Sequence, residues 1–491
     1  MRFLLLLIFI FQSYNSYSNF EWNTNCDLAY KKIINLEFDL ANKIISNEKK
    51  ENPSNKIVFL LENYIDFFKI QIGEEKSDYL KNIEIIEYRI SSVSAQENNS
   101  KWHNYCLAEM YIQTAANRLK FGDYLKASFE INKAYRLLLK NKNNYPDFIP
   151  NNKSFAVLET IIGSIPEKYD WILSLANMNG SVSNGIKSLK EIIKVLKTDN
   201  KFNYLIDETY FYYSFLKMNL QNNESELQLI INDIKDSPLQ ILNFACNRLA
   251  NKLGQNQLAL SVLENRKKYK NAYPFYYLDF LIGKEKLNKL DFSAKNHFSF
   301  YTNNFKGENY VKSSYMYLSW IALFENDSSL FKIYQKKIDL FGSSLVGSDK
   351  EAQNFFSDKT IPNTSLLKAR LLFDGGFYTK SLTTLKSNKY DEKSDLFLES
   401  SYREAVNYFK LKQTEKAIEK FELTYKLGKS KKYYYSAKSA LNLAYIFFEK
   451  ENYSKSKEYF QKCIELKYHE YEQSLEQKAK AGLNNLKISN P

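Results

Sequence analysis

Residues 443–463 read LAYIFFEKENYSKSKEYFQKC and decide the fold class. The small Ser456 is followed four positions later by the large apolar Phe460, and Ala444 lies twelve positions before Ser456. Residues four apart stack on one face of a helix, and a small side chain there lets a neighbouring helix approach closely. The stretch therefore predicts two antiparallel helices that cross at Ala444 and Ser456.

The same small-then-large spacing recurs along the chain. Successive small residues are 35, 36 and 39 positions apart in the three best-spaced cases, which is the period of a two-helix repeat. Small residues also lie twelve positions upstream of some of these pairs, at Ala115, Ala369 and Ala405. The offset fails for Ala259 and Ala294, so we expect degenerate repeats there. The recurring pairs are Ala127/Ile131, Ala259/Leu263, Ala294/Phe298, Ser381/Leu385 and Ala417/Phe421.

This pattern resembles the tetratricopeptide repeat, which has small residues at its two helix crossings and an aromatic residue before its second helix. The match is fullest for Leu443, Ala444, Tyr453, Ser456 and Phe460. The resemblance implies an all-α fold of antiparallel helix-hairpin repeats, a tetratricopeptide-like α-solenoid. The positions expected to pack between its helices are Ala127, Ala259, Ala294, Ala405, Ala417, Ala444, Phe421 and Phe460. Departures from the pattern occur at Lys368, Glu404 and Thr414.

The N-terminus has the features of an export signal. Arg2 precedes an apolar run over residues 3–11, and Ser16-Tyr17-Ser18 fits the small-x-small requirement of signal peptidase. We therefore expect a cleaved signal peptide at 1–18 and a mature chain in the periplasm or associated with the outer membrane. An uncleaved anchor is the alternative.

The rest of the chain divides by its turn-forming residues. Prolines and glycines between Tyr145 and Gly185 predict a non-repeat helical insert with short helices. The predicted segments are N-terminal helical hairpins at 19–145, the insert at 146–200, degenerate repeats at 201–345 and tetratricopeptide-like repeats at 346–491.

The insert carries a second resemblance. Ile162, the Ser164-Ile165-Pro166 turn, the apolar stretch 171–175 and Gly180-Ser181 look like the signature segment of the eukaryotic tetratricopeptide family of mitochondrial outer-membrane and inclusion-clearance proteins. Residues 304–310 and 468–481 also resemble exported repeat proteins of the Bacteroidetes type. Together these resemblances imply an adaptor or scaffold without catalytic residues.

Chemical motifs are scarce. The three histidines are far apart and lack partners at helical spacing, so we expect no metal site, and no phosphate loop or nucleophile motif predicts a cofactor. Cys26 and Cys106 allow one disulfide bridge, while isolated buried thiols at these positions and at Cys246 and Cys463 are the alternative.

The formal charge of +13 does not predict nucleic-acid binding. Only eight of the 69 basic residues are arginines, and the lysines are scattered rather than interleaved with aromatic residues. Aromatic residues make up 16% of the chain and are the better functional signal. Tyrosine supplies contact area with a polar tip, and we expect some of Tyr433, Tyr434 and Tyr435 to lie in an accessible groove.

The sequence thus favours a non-enzymatic scaffold of the bacterial cell envelope that binds a protein partner in the groove of a helical-repeat array. A glycan- or nutrient-binding accessory protein is the first alternative, because aromatic rings also bind sugars. An enzyme assembled from residues distant in sequence is the second alternative. The identity of the partner and the oligomeric state stay open.

Overall fold

The computed structural model describes residues 19–96, 100–165, 178–221, 223–467 and 470–489. Within these ranges it contains 24 α-helices, one short 3-10 helix and no β-strand. The predicted all-α fold of helix hairpins is therefore confirmed. The predicted signal peptide and residues 166–177 of the predicted insert lie outside the described residues.

The first of two compact units comprises the described residues up to Leu249, with 265–276 and 305–307. Its helices pack against their chain neighbours as hairpins, for example α1 on α2 and α5 on α6. They are α1 (Thr24–Ile34), α2 (Phe38–Glu51), α3 (Ile57–Gly73), α4 (Lys76–Ser94), α5 (Lys101–Lys120), α6 (Tyr124–Asn144), α7 (Ile149–Gly163), α8 (Val182–Leu196), α9 (Ile206–Leu220), α10 (Glu224–Ile234) and the part of α11 (Gln240–Lys252) up to Leu249, with the 3-10 helix at Asn203–Leu205.

The second unit comprises residues 250–264, 277–304 and the described residues from Glu308 onward. Five hairpins of antiparallel helices follow in its chain order, with the helix over residues 347–358 between the second and the third. The helices are α12 (Asn256–Glu264), α13 (Tyr277–Asn288), α14 (Ala294–Asn304), α15 (Val311–Phe324), α16 (Ser328–Leu340), α17 (Gly347–Asp358), α18 (Thr364–Asp374), α19 (Tyr378–Lys386), α20 (Asp395–Lys410), α21 (Thr414–Gly428), α22 (Tyr435–Glu449), α23 (Tyr453–Glu465) and α24 (Glu472–Ser489).

The small residues lie where the two helices of a hairpin cross. Ser456 on α23 donates a hydrogen bond to the carbonyl oxygen of Ala444 on α22 over 2.9 Å. Ser381 on α19 makes the same bond to Ala369 on α18 over 2.7 Å. The offset of twelve residues read from the sequence is thus a direct contact in two hairpins, and the hydroxyl groups are satisfied inside the crossing.

All eight residues proposed to pack between helices are fully buried. The structure places each of them at zero exposure: Ala127, Ala259, Ala294, Ala405, Ala417, Ala444, Phe421 and Phe460. An alanine at such a site leaves room for the facing helix, and the phenylalanine fills the space one turn further along. Enlarging the alanine would push the helices apart.

The turns inside the hairpins share one backbone feature. A residue with positive φ lies two positions before the second helix of many hairpins, which lets the chain leave the first helix in the left-handed conformation. Glycine takes this position at Gly122, Gly254 and Gly376, but Asn326, Lys412 and Glu451 take it as well. The turn geometry is therefore set by the hairpin, because three residues with side chains adopt it at a steric cost.

Within the predicted insert, the described residues form the hairpin of α7 and α8. Each helix is 15 residues long, so the short helices expected from the prolines and glycines are not found there. Pro150 lies in the first turn of α7, where a missing N–H costs nothing. A Cβ on Gly180 would collide with the backbone of Gly163, so these glycines allow the two helices to approach closely.

All four cysteines are buried free thiols. Burial raises the pKa of Cys26 to about 12 and also raises that of Cys106. These thiols behave as small apolar packing groups, and the bridge between Cys26 and Cys106 is absent from the structure.

Candidate functional site

A groove of about 710 Å³ opens in the second unit. We call it the tyrosine groove and define it by the lining residues of α18, α20 and α22, together with Trp320, the lining residues between 351 and 363, residues 433–434 and the turn at 470–471. Those three helices are the first helices of consecutive hairpins, so they lie side by side and present neighbouring faces. This is the surface on which sequence reasoning placed the partner.

Helical periodicity determines which residues face the groove. On α20 the lining residues Glu399, Arg403, Val406 and Lys410 are spaced four, three and four apart, which places them on one face. The same spacing holds from Asn363 through Leu367 and Arg370 to Asp374. Each first helix thus contributes one stripe of mixed polar and apolar side chains to the groove floor. The α22 stripe includes Lys438 and Asn442.

All three tyrosines singled out in the sequence line this groove. Tyr433 and Tyr434 precede α22 rather than lying round a helix, because α22 begins only at Tyr435. The Tyr433 hydroxyl donates to Asp395 over 3.0 Å, and 40% of the residue is exposed. Tyr434 and Tyr435 are half-buried, with their ring centroids 4.6 Å apart. Their contact with a partner stays a prediction.

Two further aromatic residues, Tyr402 and Tyr471, line the groove beside these tyrosines. The sequence reasoning did not single them out for the groove. Tyr402 on α20 lies 5.8 Å from Tyr434 with the rings nearly perpendicular. Tyr471 lies 5.3 Å from Tyr434 on another side, at an interplanar angle of 89°. Tyr471 is 56% exposed and has a positive φ of 60°, so the turn before α24 holds its ring at the groove mouth. No spacing rule connects it to residues 433–435.

Two of the chain's eight arginines lie in the groove, and both are already neutralised. Arg370 pairs with Glu351 and lies 3.7 Å from Asp374, while its guanidinium stands 5.5 Å over the Trp320 ring. Arg403 binds Glu399 through Nε over 2.7 Å. Burial lowers the pKa of Arg370, but Glu351 and Asp374 outweigh it and hold that pKa above its ordinary value.

The groove is acidic although the chain is basic. Its lining carries six carboxylates against four cationic side chains, in a chain with a formal charge of +13. Burial, with Lys478 as a second cause, also lowers the pKa of the lining Lys438. The carboxylates are Glu351, Asp358, Asp374, Asp395, Glu399 and Glu470. The local field therefore favours positive charge in the groove.

A second cluster of charged side chains lies in the first unit and is sealed. Lys153 on α7 is fully buried, with Nζ 2.6 Å from Glu208 and 3.5 Å from Glu109. Tyr30 donates to Glu208 over 2.9 Å, and the Tyr64 hydroxyl lies 3.2 Å from each carboxylate. The side chains fill this site, so it holds α1, α3, α5, α7 and α9 together. It was not predicted, because its residues come from five separate helices.

Among the residues that the structure describes, no group of three or more histidine, cysteine or acidic side chains could hold a metal ion. No helix in the described ranges combines the length and the apolar character needed to cross a membrane.

Neither the protein-family models nor the curated proteins gave a match to this chain. The solved structures that are similar to it include the following two. The crystal structure of yeast Tom70 is 12% identical over 87% of this chain and 97% of that one, with a TM-score of 0.24. The crystal structure of the APC/C hetero-tetramer Cut9–Hcn1 is 11% identical over 93% and 95%, with a TM-score of 0.26. Both are tetratricopeptide-repeat proteins.

At these TM-scores the likeness carries no argument about fold or function. The repeat character of this chain rests instead on its own hairpins, with their buried small residues and left-handed turns.

Proposed function

We propose that this protein is a non-enzymatic scaffold that binds a segment of a partner protein in the tyrosine groove. The observation that carries the proposal is the set of exposed apolar side chains in the groove lining. Ile361 is 69% exposed, Leu396 40%, Tyr433 40% and Tyr471 56%. Exposed apolar groups that share a concave surface favour binding, because covering them removes apolar area from water.

The supporting elements are suited to holding such a segment. The groove stripes lie on helices whose other faces are buried in the hairpins, so the lining side chains are positioned before a partner arrives. Tyrosine adds large contact area with few rotatable bonds, which keeps the entropic cost of binding low. The groove side chain of Asn442 carries a donor and an acceptor suited to a peptide backbone.

Site-specific photocrosslinking in the cells that make the protein tests this proposal. A photoreactive amino acid is placed at Ile361 in the groove or at Leu345, which is similarly exposed at 59% but does not line the groove. We expect discrete adducts with one or a few proteins from position 361 and none of those adducts from position 345. The double change Ile361→Ser and Leu396→Ser should abolish the adducts from a probe at Tyr471.

The matched control is the double change Leu340→Ser and Leu345→Ser, which removes as much exposed apolar surface outside the groove. It should leave the adducts from Tyr471 unchanged. Equal adducts from positions 361 and 345, or adducts from Tyr471 that resist the groove variant, would exclude this groove as the binding site.

We also propose that the protein works after export, in the periplasm or at the outer membrane of a bacterium. The support is the charged start, apolar run and small-x-small ending of residues 1–18. N-terminal sequencing of the chain purified from fractionated cells should find Asn19 as the first residue in an envelope fraction. A chain that keeps Met1 and fractionates with the cytoplasm would contradict this proposal.

A further inference from the structure

The mouth of the tyrosine groove combines aromatic rings with carboxylates. Tyr434 and Tyr471 form two perpendicular walls with centroids 5.3 Å apart, and Tyr433 is exposed beside them. Glu470 lines the groove next to Tyr471 in the chain, and Asp395 accepts hydrogen bonds from Tyr433 and from Lys431. Ring faces and carboxylates are the two groups that attract an organic cation in proteins.

The two arginines of the groove do not offer a site for an anion. Arg370 is engaged by Glu351 and Asp374, and Arg403 is engaged by Glu399. An acidic ligand would have to displace these intramolecular carboxylates and would meet the acidic excess of the lining. A cationic ligand is attracted by this acidic excess, although it would share Asp395 with Lys431.

We propose that the groove mouth receives the ammonium or guanidinium group of a lysine or arginine side chain in the bound peptide segment. The cation lies against the rings of Tyr433, Tyr434 and Tyr471, with Glu470 as its first counter-charge and Asp395, which also pairs with Lys431, as its second. This inference rests on the proposed function, since it names the chemistry of the segment that the scaffold holds.

The size of the groove favours a peptide side chain over a small free cation. A volume of about 710 Å³ exceeds what one ammonium group fills, and the apolar Leu396, Val406 and Ile361 also line it. A peptide with one basic residue and apolar neighbours matches both parts of the lining. The formal charge of +13 on the whole chain repels a basic peptide only weakly, because solvent ions screen exposed charges beyond about 8 Å.

Selection from a randomised nine-residue peptide library on the immobilised full chain tests the inference. We expect the retained pool to be enriched in lysine and arginine relative to the input. A retained peptide is then synthesised with its basic residue as lysine, as norleucine and as glutamate. We expect about three- to tenfold weaker binding for norleucine than for lysine, the scale of an exposed cation–π contact and ion pair, and the weakest binding for glutamate.

Two variants locate the effect. Glu470→Gln keeps the shape of the side chain, and Tyr471→Leu removes an exposed ring, so both should keep the helical circular dichroism spectrum. Each should reduce the lysine-over-norleucine preference to below about twofold, whereas Tyr124→Leu, at a 66% exposed tyrosine of the first unit, should leave it intact.

The outcomes separate the two proposals. Retained peptides without a basic preference, or a preference that survives both variants, overturn this inference while the protein-binding proposal stands. A folded chain that retains no peptide overturns both.

Discussion

The sealed cluster around Lys153 and the open groove around Arg370 are built from the same parts. In each, one cation faces two carboxylates, and tyrosine rings surround them. They differ in access to water: the Lys153 side chain is 1% exposed and the Arg370 side chain 32%. Because the first cluster is buried, its role is to stabilise the fold: an unpaired charge there would not be solvated by water. The open groove leaves its charges and rings available to a ligand.

The pKa shifts follow this division only in part. Burial raises the pKa of Glu109, with Glu208 adding to the rise and Lys153 opposing it. Burial lowers the pKa of Lys153, but Glu109 and Glu208 outweigh it, so the net pKa is raised. In the groove, the hydrogen bond from Lys431 lowers the pKa of the exposed Asp395, whereas burial raises that of Asp374. In the sealed cluster, each charge is therefore compensated only by other side chains. In the groove, water also solvates the charged groups.

The largest expected effect comes from breaking the sealed cluster. Lys153→Met should lower the free energy of unfolding by about 3–5 kcal/mol at pH 8, because it leaves Glu109 and Glu208 buried without a cation. Because its pKa is raised, Glu109 keeps its proton to a higher pH in the folded chain than in the unfolded chain. Its contribution to stability is therefore full below its ordinary pKa of 4.5 and is lost as the pH rises through the raised value.

The deficit of the variant should therefore be smaller at pH 5 than at pH 8, as measured by urea unfolding followed by circular dichroism. Lys194→Met is the matched control, since the Lys194–Glu191 pair is on the surface, and it should cause no measurable change. An equal deficit at both pH values would show that packing, rather than charge, accounts for the loss.

Removing one tyrosine hydroxyl from the sealed cluster and one from the groove compares the two sites directly, and we expect effects on stability of intermediate size. Tyr64→Phe removes a buried hydroxyl that lies 3.2 Å from both carboxylates and should cost about 1–3 kcal/mol, because nothing replaces the lost donor. Tyr433→Phe removes the hydroxyl that binds the exposed Asp395 and should cost less than about 0.5 kcal/mol, since water replaces it. If urea unfolding shows that both changes lower the free energy of unfolding by a similar amount, then burial does not distinguish the sealed cluster from the groove.

A small effect on stability is also expected for Arg370→Met. Water reaches Glu351 and Asp374, so the loss of their partner should cost about 1 kcal/mol or less. The cost should shrink further between 0.05 and 0.5 M NaCl, because salt screens exposed charges, and urea unfolding at both concentrations measures it. A loss as large as that of Lys153→Met would mean that the groove charges are structural.

The fold was predictable because its determinants are local. Ala444, Ser456 and Phe460 lie within seventeen residues, and helix geometry alone brings them to one crossing. The turn residues Gly122 and Gly376 were equally readable, whereas Lys412 takes the same left-handed conformation without any sequence signal.

The candidate site was predictable only in part. Tyr433, Tyr434 and Tyr435 stand out as a run, and the groove contains all three. Tyr471 and Arg370 were missed because their relation to that run depends on how successive hairpins stack. The scarcity of arginine was a usable signal: two of eight arginines lie in one groove.

The sequence by itself determined the helices, their pairing into hairpins and the absence of a linear catalytic motif, because these depend on spacings of four to twelve residues along one chain. Only the tertiary structure decided which charged residues are sealed and which are open. Glu109, Lys153 and Glu208 are about fifty residues apart and look like ordinary surface residues in the sequence. Their burial, and the exposure of Tyr471, follow from the packing of helices that no local pattern specifies.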